Sequence, residues 1–342
     1  MRVGILTSGG DAPGINATIR GVGKTAINHY GMQVIGIQNG FSGLLYKDTI
    51  ELTDASLSGI LNLGGTILGT AREKIFRSMI SSPDEKDREQ IKDAYHELEL
   101  DCLVCIGGNG TQRTTWMLSE MGLNVVGIPK TIDNDVYGTD VTFGFDTAVN
   151  IACEAIDRLH STASSHRRVM VIELMGHHAG WITLHAGMAA GADIILLPEL
   201  GYNMRVVIDK IKKRMEIGKA YSIVAVAEGL EVPSKERPAI YFAREIEKRT
   251  GYETRETVLG YIQRGGSPSP ADRNLGTLLG GHAAQLINEG KYGRMVAKIG
   301  NEITDVPLSE VAGRLRLVTP DNDLVVQGSR MGISFGTYDY PG

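Results

Sequence analysis

Arg2-Val3-Gly4-Ile5-Leu6-Thr7-Ser8-Gly9-Gly10-Asp11-Ala12-Pro13-Gly14-Ile15-Asn16 starts as a short apolar run, breaks into glycine and then takes up helical spacing. A strand predicted over Val3–Leu6 runs through a glycine turn into a helix predicted over Asn16–Tyr30. Glycines at such a turn let backbone N–H groups approach an anion, and the start of a helix favours negative charge. A tight turn that needs positive φ is the plainer reading of the same residues.

The pattern repeats outward from this segment. Further strands are predicted at Val34–Ile37, Cys102–Ile106, Val125–Ile128, Val169–Leu174, Ile194–Leu197, Ile223–Ala227 and Val296–Ile299. Helices are predicted at Asp84–Leu98, Thr111–Met121, Asp146–Leu159, Arg205–Ile217, Ile240–Arg249 and Asp272–Asn288. Alternating strands and helices imply an α/β fold with mostly parallel sheets covered on both faces, and ligands at the carboxyl ends of the strands. A length of 342 residues suggests two domains. Turn residues near Tyr137–Asp140 and Gly251–Thr257 are candidate boundaries. Val318 to Gly342 shows no helical period.

Composition narrows the function. Hydrophobic residues make up 42% and charged residues 22%, the balance of a globular chain. The net charge of -5 does not suggest a nucleic-acid partner. No apolar stretch approaches membrane-spanning length, and a strand starting at Arg2 leaves no room for a signal peptide, so a cytoplasmic setting is expected. Cys102 and Cys105 sit inside an apolar run and read as buried strand residues rather than a metal or redox pair. The 43 glycines are roughly double the usual share and gather just after apolar strands.

Two more glycine loops follow this rule. Gly107-Gly108-Asn109-Gly110-Thr111 lies between a strand and a helix, and Gly64-Gly65-Thr66-Ile67-Leu68-Gly69-Thr70-Ala71-Arg72 ends in an arginine whose planar fork suits phosphoryl oxygens. No dinucleotide fingerprint is present. Gly23-Lys24-Thr25 is not a P-loop, because the first glycine of that motif would fall on Thr18.

Pro129-Lys130-Thr131-Ile132-Asp133-Asn134-Asp135 follows the strand Val125–Ile128 directly. One carboxylate there can accept a proton from an attacking hydroxyl. The other can hold Mg²⁺, which binds through one or two carboxylates plus substrate phosphates. An Asx-rich turn is the alternative on this loop alone.

Taken together, Gly9–Gly14, Gly107–Thr111 and Pro129–Asp135 resemble 6-phosphofructokinases. Ser164-Ser165-His166, Glu173-x-Met175-Gly176, Glu228 and Leu259-Gly260-Tyr261-Ile262-Gln263-Arg264-Gly265-Gly266-Ser267-Pro268 extend the likeness in order to about residue 305. The resemblance implies two Rossmann-like domains, 1–138 plus 257–305 for the phosphoryl donor and 139–256 plus 306–342 for the sugar phosphate, with the active site in the cleft between them. It implies phosphorylation of the C1 hydroxyl of fructose 6-phosphate with Mg²⁺ as cofactor. By matching positions, Asp133 would be the base, Thr131 a substrate-positioning hydroxyl, and Asp135 with Asn109 the metal-associated pair. Arg72 and Arg168 would stabilise the transferring group. Gly10, Phe41, Arg72, Gly107, Gly108, Asn109, Gly110, Thr111 and Lys130 would hold the donor. Thr131, Asp133, Arg168, Met175, Gly176, His177, Glu228, Arg255, Tyr261 and Arg264 would hold the sugar phosphate, with Tyr261 where the family usually has histidine. Arg168 and Arg255 match arginines contributed across a subunit interface, which implies a homo-oligomer.

The donor motifs are mixed. Gly110 resembles ATP-using members, whereas pyrophosphate users carry Asp there; Lys130 resembles the pyrophosphate users. ATP is the expected donor and pyrophosphate the alternative. Asn109 stands where the family usually has an acidic residue, which keeps a non-catalytic regulatory homologue as a further alternative. Asp54, His160 and Ile217 fall where allosteric relatives have basic residues, while Arg20, Lys24 and Lys219 remain basic. Weak or absent control by phosphoenolpyruvate or ADP is expected.

Overall fold

The computed structural model describes residues 1–71 and 85–338. They form two compact units. The first is Met1–Asp146 with Arg264–Arg316, the second Thr147–Gln263 with Leu317–Gly342. The chain therefore changes unit at 146/147, 263/264 and 316/317, not at the 138/139, 256/257 and 305/306 read from turn residues and resemblance. The reason is pairing. Residues 139–143 return to the first unit, where Asp140 N donates to Lys298 O and Phe143 joins the core.

In the first unit, β1 (Arg2–Thr7), β2 (Gln33–Ile37), β3 (Thr49–Glu51), β4 (Cys102–Gly107), β5 (Val125–Pro129), β10 (Arg294–Ile299) and β11 (Glu302–Pro307) make a seven-stranded sheet in the order β11-β10-β5-β4-β1-β2-β3. All neighbours are parallel except β2 with β3 and β10 with β11. Side chains alternate faces along a strand. Val3, Ile5, Cys102, Val104 and Ile106 pack into one core cluster, while Leu6, Leu103 and Cys105 pack into another. Cys102 and Cys105 thus belong to opposite faces as free, buried thiols.

Helices cover both faces. α1 (Ile15–Asn28) and α9 (Pro270–Asn288) lie on the Val3 side, α3 (Glu85–Glu97) and α4 (Asn109–Glu120) on the Leu6 side. α1 and α9 approach closely: a Cβ at Gly21 would come within 2.8 Å of Thr277 O, so any larger residue would push the helices apart. α2 (Phe41–Tyr46) and α10 (Leu308–Val311) are short connections.

The second unit holds a four-stranded parallel sheet, β7-β8-β6-β9, built from β6 (Val169–Leu174), β7 (Ile194–Leu196), β8 (Ser222–Ala227) and β9 (Thr254–Val258). Its helices are α5 (Phe145–His166), α6 (Trp181–Ala189), α7 (Met204–Glu216), α8 (Pro238–Thr250) and α11 (Asp323–Arg330), and a 3-10 turn covers Gly260–Arg264. α11 corrects the reading of the tail as without helix. It is only eight residues long, and Asn322 caps it by accepting from Leu324 N. Among the described residues no helix is long and apolar enough to cross a membrane.

Candidate active site

In the first sheet, β1 continues to β2 on one side while β4 continues to β5 on the other. That reversal opens a crevice at the carboxyl ends of β1 and β4, the place where open α/β sheets bind ligands. Ser8–Gly14 and Gly107–Thr111 flank it, and Pro129–Asp135 leaves the next strand along. Gly9 has φ 86° and Gly14, which begins α1, has φ 100°. The left-handed glycines shape a tight turn that ends on the N-terminus of α1.

The three loops are fastened to each other by side chains. Gln112, fully buried, donates from Nε2 to Gly107 O at 2.8 Å and Ile128 O at 2.9 Å, tying the ends of β4 and β5. Thr111 Oγ1 lies 3.4 Å from Ser8 O. Lys130, only 2% exposed, donates from Nζ to Ser8 O at 3.0 Å and to Gly10 O. Its ammonium thus bolts the acidic loop to the glycine turn. The third loop, 64–71, docks on the same edge. Thr7 Oγ1 donates to Gly69 O at 2.6 Å, Thr70 Oγ1 to Gly9 O at 2.6 Å, and Asn16 binds Leu63 O and Ile67 N. Arg72, which follows this loop, lies outside the described residues.

Within the acidic loop, Asp133 N donates to Thr131 Oγ1 at 3.0 Å, and Thr142 Oγ1 donates to Thr131 O at 2.7 Å. Asn134 adopts a left-handed φ of 53°, with its Oδ1 accepting from Thr142 N at 3.0 Å. Asn tolerates this geometry because its short amide can bond locally. Asp133 and Asp135 are both buried at 8% exposure. Burial, then the neighbouring Asp133 charge, push the Asp135 carboxyl up to about 7.

This environment fits a divalent cation. Asn109 donates from Nδ2 to Asp135 O at 3.3 Å, and its Oδ1 is buried with no hydrogen-bond partner. A buried acceptor left without a donor is costly unless a cation or water meets it. Among the described residues no group of three or more His, Cys, Asp or Glu side chains could hold a metal ion. Asp135 and Asn109 would need phosphate oxygens to complete a shell, which is how Mg²⁺ is usually held.

Two further expected residues lie in the first unit. Arg264, expected with the sugar phosphate, lies in the first unit beside the glycine turn. Its Nη1 donates to Asp11 O at 3.2 Å and would sit 2.9 Å from a Cβ at Gly10. Phe41, expected against the donor, is buried at 3% in the core with Ile37 and Leu44.

In the second unit, Met175, Gly176 and His177 follow β6, and Glu228 follows the adjacent β8. Glu228 Oε1 accepts from Gly176 N at 3.2 Å and His177 N at 3.0 Å, which fixes the turn. Gly176 has φ 146°, and a Cβ there would meet Ala179 O at 2.4 Å. His177 takes φ 52° and is exposed, its ring edge-on to His178 with centroids 3.9 Å apart. Tyr261, 74% exposed, sits on the 3-10 turn. Arg168 and Arg255 converge on one carboxylate: Glu253 Oε1 is 2.7 Å from Arg168 Nη2 and 2.5 Å from Arg255 Nη2. Hydrogen bonding to Arg168 is the chief reason the Glu253 carboxyl is held below its usual range. The motifs gave no sign of Glu253 or Gln112. Both are single polar residues outside the quoted motifs.

Glycine turns at the switch point of a parallel sheet, with a buried carboxylate pair beside them, are the arrangement an α/β phosphotransferase needs. A family model described as Phosphofructokinase matches residues 2–287, and the chain belongs to that family. It is 63% identical to ATP-dependent 6-phosphofructokinase 3 of Bacteroides thetaiotaomicron over 98% of this chain and 100% of the relative. Among solved structures, phosphofructokinase from Saccharomyces cerevisiae matches with TM-score 0.80 at 32% identity, covering 91% of this chain and 45% of that one, so the chain spans less than half of the yeast protein's length. A pyrophosphate-dependent phosphofructokinase from Nitrosospira multiformis matches with TM-score 0.84 at 22% identity, covering 100% of this chain and 93% of that one; at that identity the likeness concerns the fold.

Proposed function

We propose that this chain transfers the γ-phosphoryl group of ATP to the C1 hydroxyl of D-fructose 6-phosphate, giving fructose 1,6-bisphosphate and ADP in glycolysis. The observation that carries the reading is the buried acidic loop bonded to two glycine turns at one switch point. Asp133 accepts the proton of the C1 hydroxyl as its oxygen attacks the γ-phosphorus, and the bond from that phosphorus to the bridging oxygen of ADP breaks. Thr131 orients the hydroxyl. The Gly9–Gly10 and Gly107–Thr111 backbone cradles the phosphates, with Arg72 and Arg168 on the transferring group. Asp135 and Asn109 would hold Mg²⁺, which supplies charge neutralisation on the phosphate oxygens. Met175, Gly176, His177, Glu228, Tyr261 and Arg264 take the sugar phosphate.

ATP is favoured over pyrophosphate because Gly110 leaves the start of α4 without a carboxylate, and because the Lys130 ammonium is committed to the Ser8 and Gly10 carbonyls. The enzyme is a homo-oligomer in which Arg168 and Arg255 serve a neighbouring active site, and it works in the cytoplasm. Incubating the pure protein with Mg²⁺, fructose 6-phosphate and either donor tests the reading. Fructose 1,6-bisphosphate should form with ATP. Product with pyrophosphate alone would overturn the donor assignment, and sugar-phosphate binding without product from either donor would make the chain a regulatory homologue.

A further inference from the structure

The acidic loop reverses at Asn134, between its two carboxylates. A small rotation of the peptides on either side of this residue swings Asp133 against Asp135. Asn134 is held on its side-chain face by Thr142. Its main chain is held from elsewhere. Arg316 Nη1 donates to Asn134 O at 3.3 Å, and Arg316 N donates to Asp135 O at 2.9 Å. Next to it, Leu315 bridges antiparallel to Val136, and the Arg314 guanidinium lies 3.6 Å from the centre of the Tyr137 ring. Residues 314–316 thus run as a strap along 134–137. They lie after the last strand and outside every motif that carried the family resemblance.

We propose that Arg316 is a positioning residue for the acidic loop. It grips two successive carbonyls, one with its main-chain N–H and one with its guanidinium, and so sets the angle between Asp133 and Asp135. Arginine suits the task because it keeps its charge when half-buried and its planar fork is pre-organised. The nearby Asp140 charge supports the charged form against burial. The proposal rests on the assignment of Asp133 and Asp135 to the chemistry.

The test compares Arg316→Gln and Arg316→Lys with the wild-type enzyme. Misplacement of a reacting group falls on turnover more than on binding, so Arg316→Gln should lower kcat by about 10-fold with KM for both substrates within about 2-fold. Arg316→Lys should recover most of that loss. In Arg316→Gln the amides of Asn134–Val136 should exchange with deuterium about 10-fold faster, a readout that needs no activity. Wild-type kcat in Arg316→Gln, or unchanged exchange in the loop, would overturn the proposal. So would equal losses of kcat and thermal midpoint in both variants, since that pattern marks a general folding role. A wild-type control that makes product separates these failures from a failure of the functional reading.

Discussion

The ends of the two sheets are held in contrasting ways. In the first unit Lys130, Gln112, Thr131 and Asp133 are buried, and their bonds run mainly to backbone carbonyls and amides of neighbouring loops. In the second unit the two arginines are half-buried or exposed, and both lean on the surface carboxylate of Glu253. Backbone-bonded buried groups are pre-organised, whereas exposed ion pairs contribute little and are readily exchanged. On the proposed function, the difference suits reacting groups such as Asp133 to the rigid site and an exchangeable grip on a phosphate to the arginines. Substitution of Asp133 should therefore strike kcat and that of Arg255 KM, whereas Arg168, proposed on the transferring group, should affect kcat as well.

The largest effect tests the rigid side. Asp133→Ser should lower kcat by at least about 10²-fold through loss of the general base; steady-state assays at saturating substrates read it directly. Gly110→Asp should impair ATP far more than pyrophosphate, by about 10-fold or more for a misplaced or repelled phosphate; equal losses with both donors would remove the steric argument. On the exchangeable side, Arg255→Ala should raise KM for fructose 6-phosphate by about 10-fold with kcat much less affected. Mixing Arg255→Ala subunits with Asp133→Ser subunits should regain activity if the arginine serves a neighbour's site. No recovery in demonstrably mixed oligomers would place Arg255 in its own.

Smaller effects follow from charge. The Asp135 carboxyl is raised in the folded protein to about 7, so the metal-free fold binds a proton that the unfolded chain releases. That contribution is present below the ordinary carboxylate range and is lost as pH rises through about 7. Asp135→Asn should then raise the thermal midpoint of metal-free protein above pH 7 and change it little near pH 4, as scanning calorimetry can show. Effectors should do least. Lys24 is paired with Asp54 at 2.6 Å, and His160 is engaged by Tyr221 and Ala190 O. Titrating phosphoenolpyruvate or ADP should shift sugar-phosphate affinity by less than the roughly 5-fold at which allosteric coupling usually begins.

The same contrast explains what the sequence made legible. Interior strands such as Val169–Leu174 read directly because burial on both faces makes an apolar run. Thr49–Glu51, Thr254–Val258 and Glu302–Pro307 were missed because all three are edge strands carrying polar residues. Trp181–Ala189 was missed for the opposite reason: it is buried nearly all round and shows no polar face. Local motifs named the glycine turns and the acidic loop. They could not reveal that Lys130 faces the Ser8 and Gly10 carbonyls or that Arg316 holds the acidic loop, since those contacts join residues more than a hundred positions apart, nor did any motif include Gln112 or Glu253. Helix α7 likewise shows charge that composition alone does not place. Arg214 is half-buried and paired with Asp193 at 2.8 Å.

If Asp133 reacts rather than anchors, binding and turnover separate when it is replaced. Calorimetric titration of fructose 6-phosphate into the Asp133→Ser protein, alongside its turnover, tests this most directly. The account predicts affinity within about 3-fold of wild type with turnover down at least about 10²-fold. Affinity lost in step with turnover, or turnover retained, would contradict it.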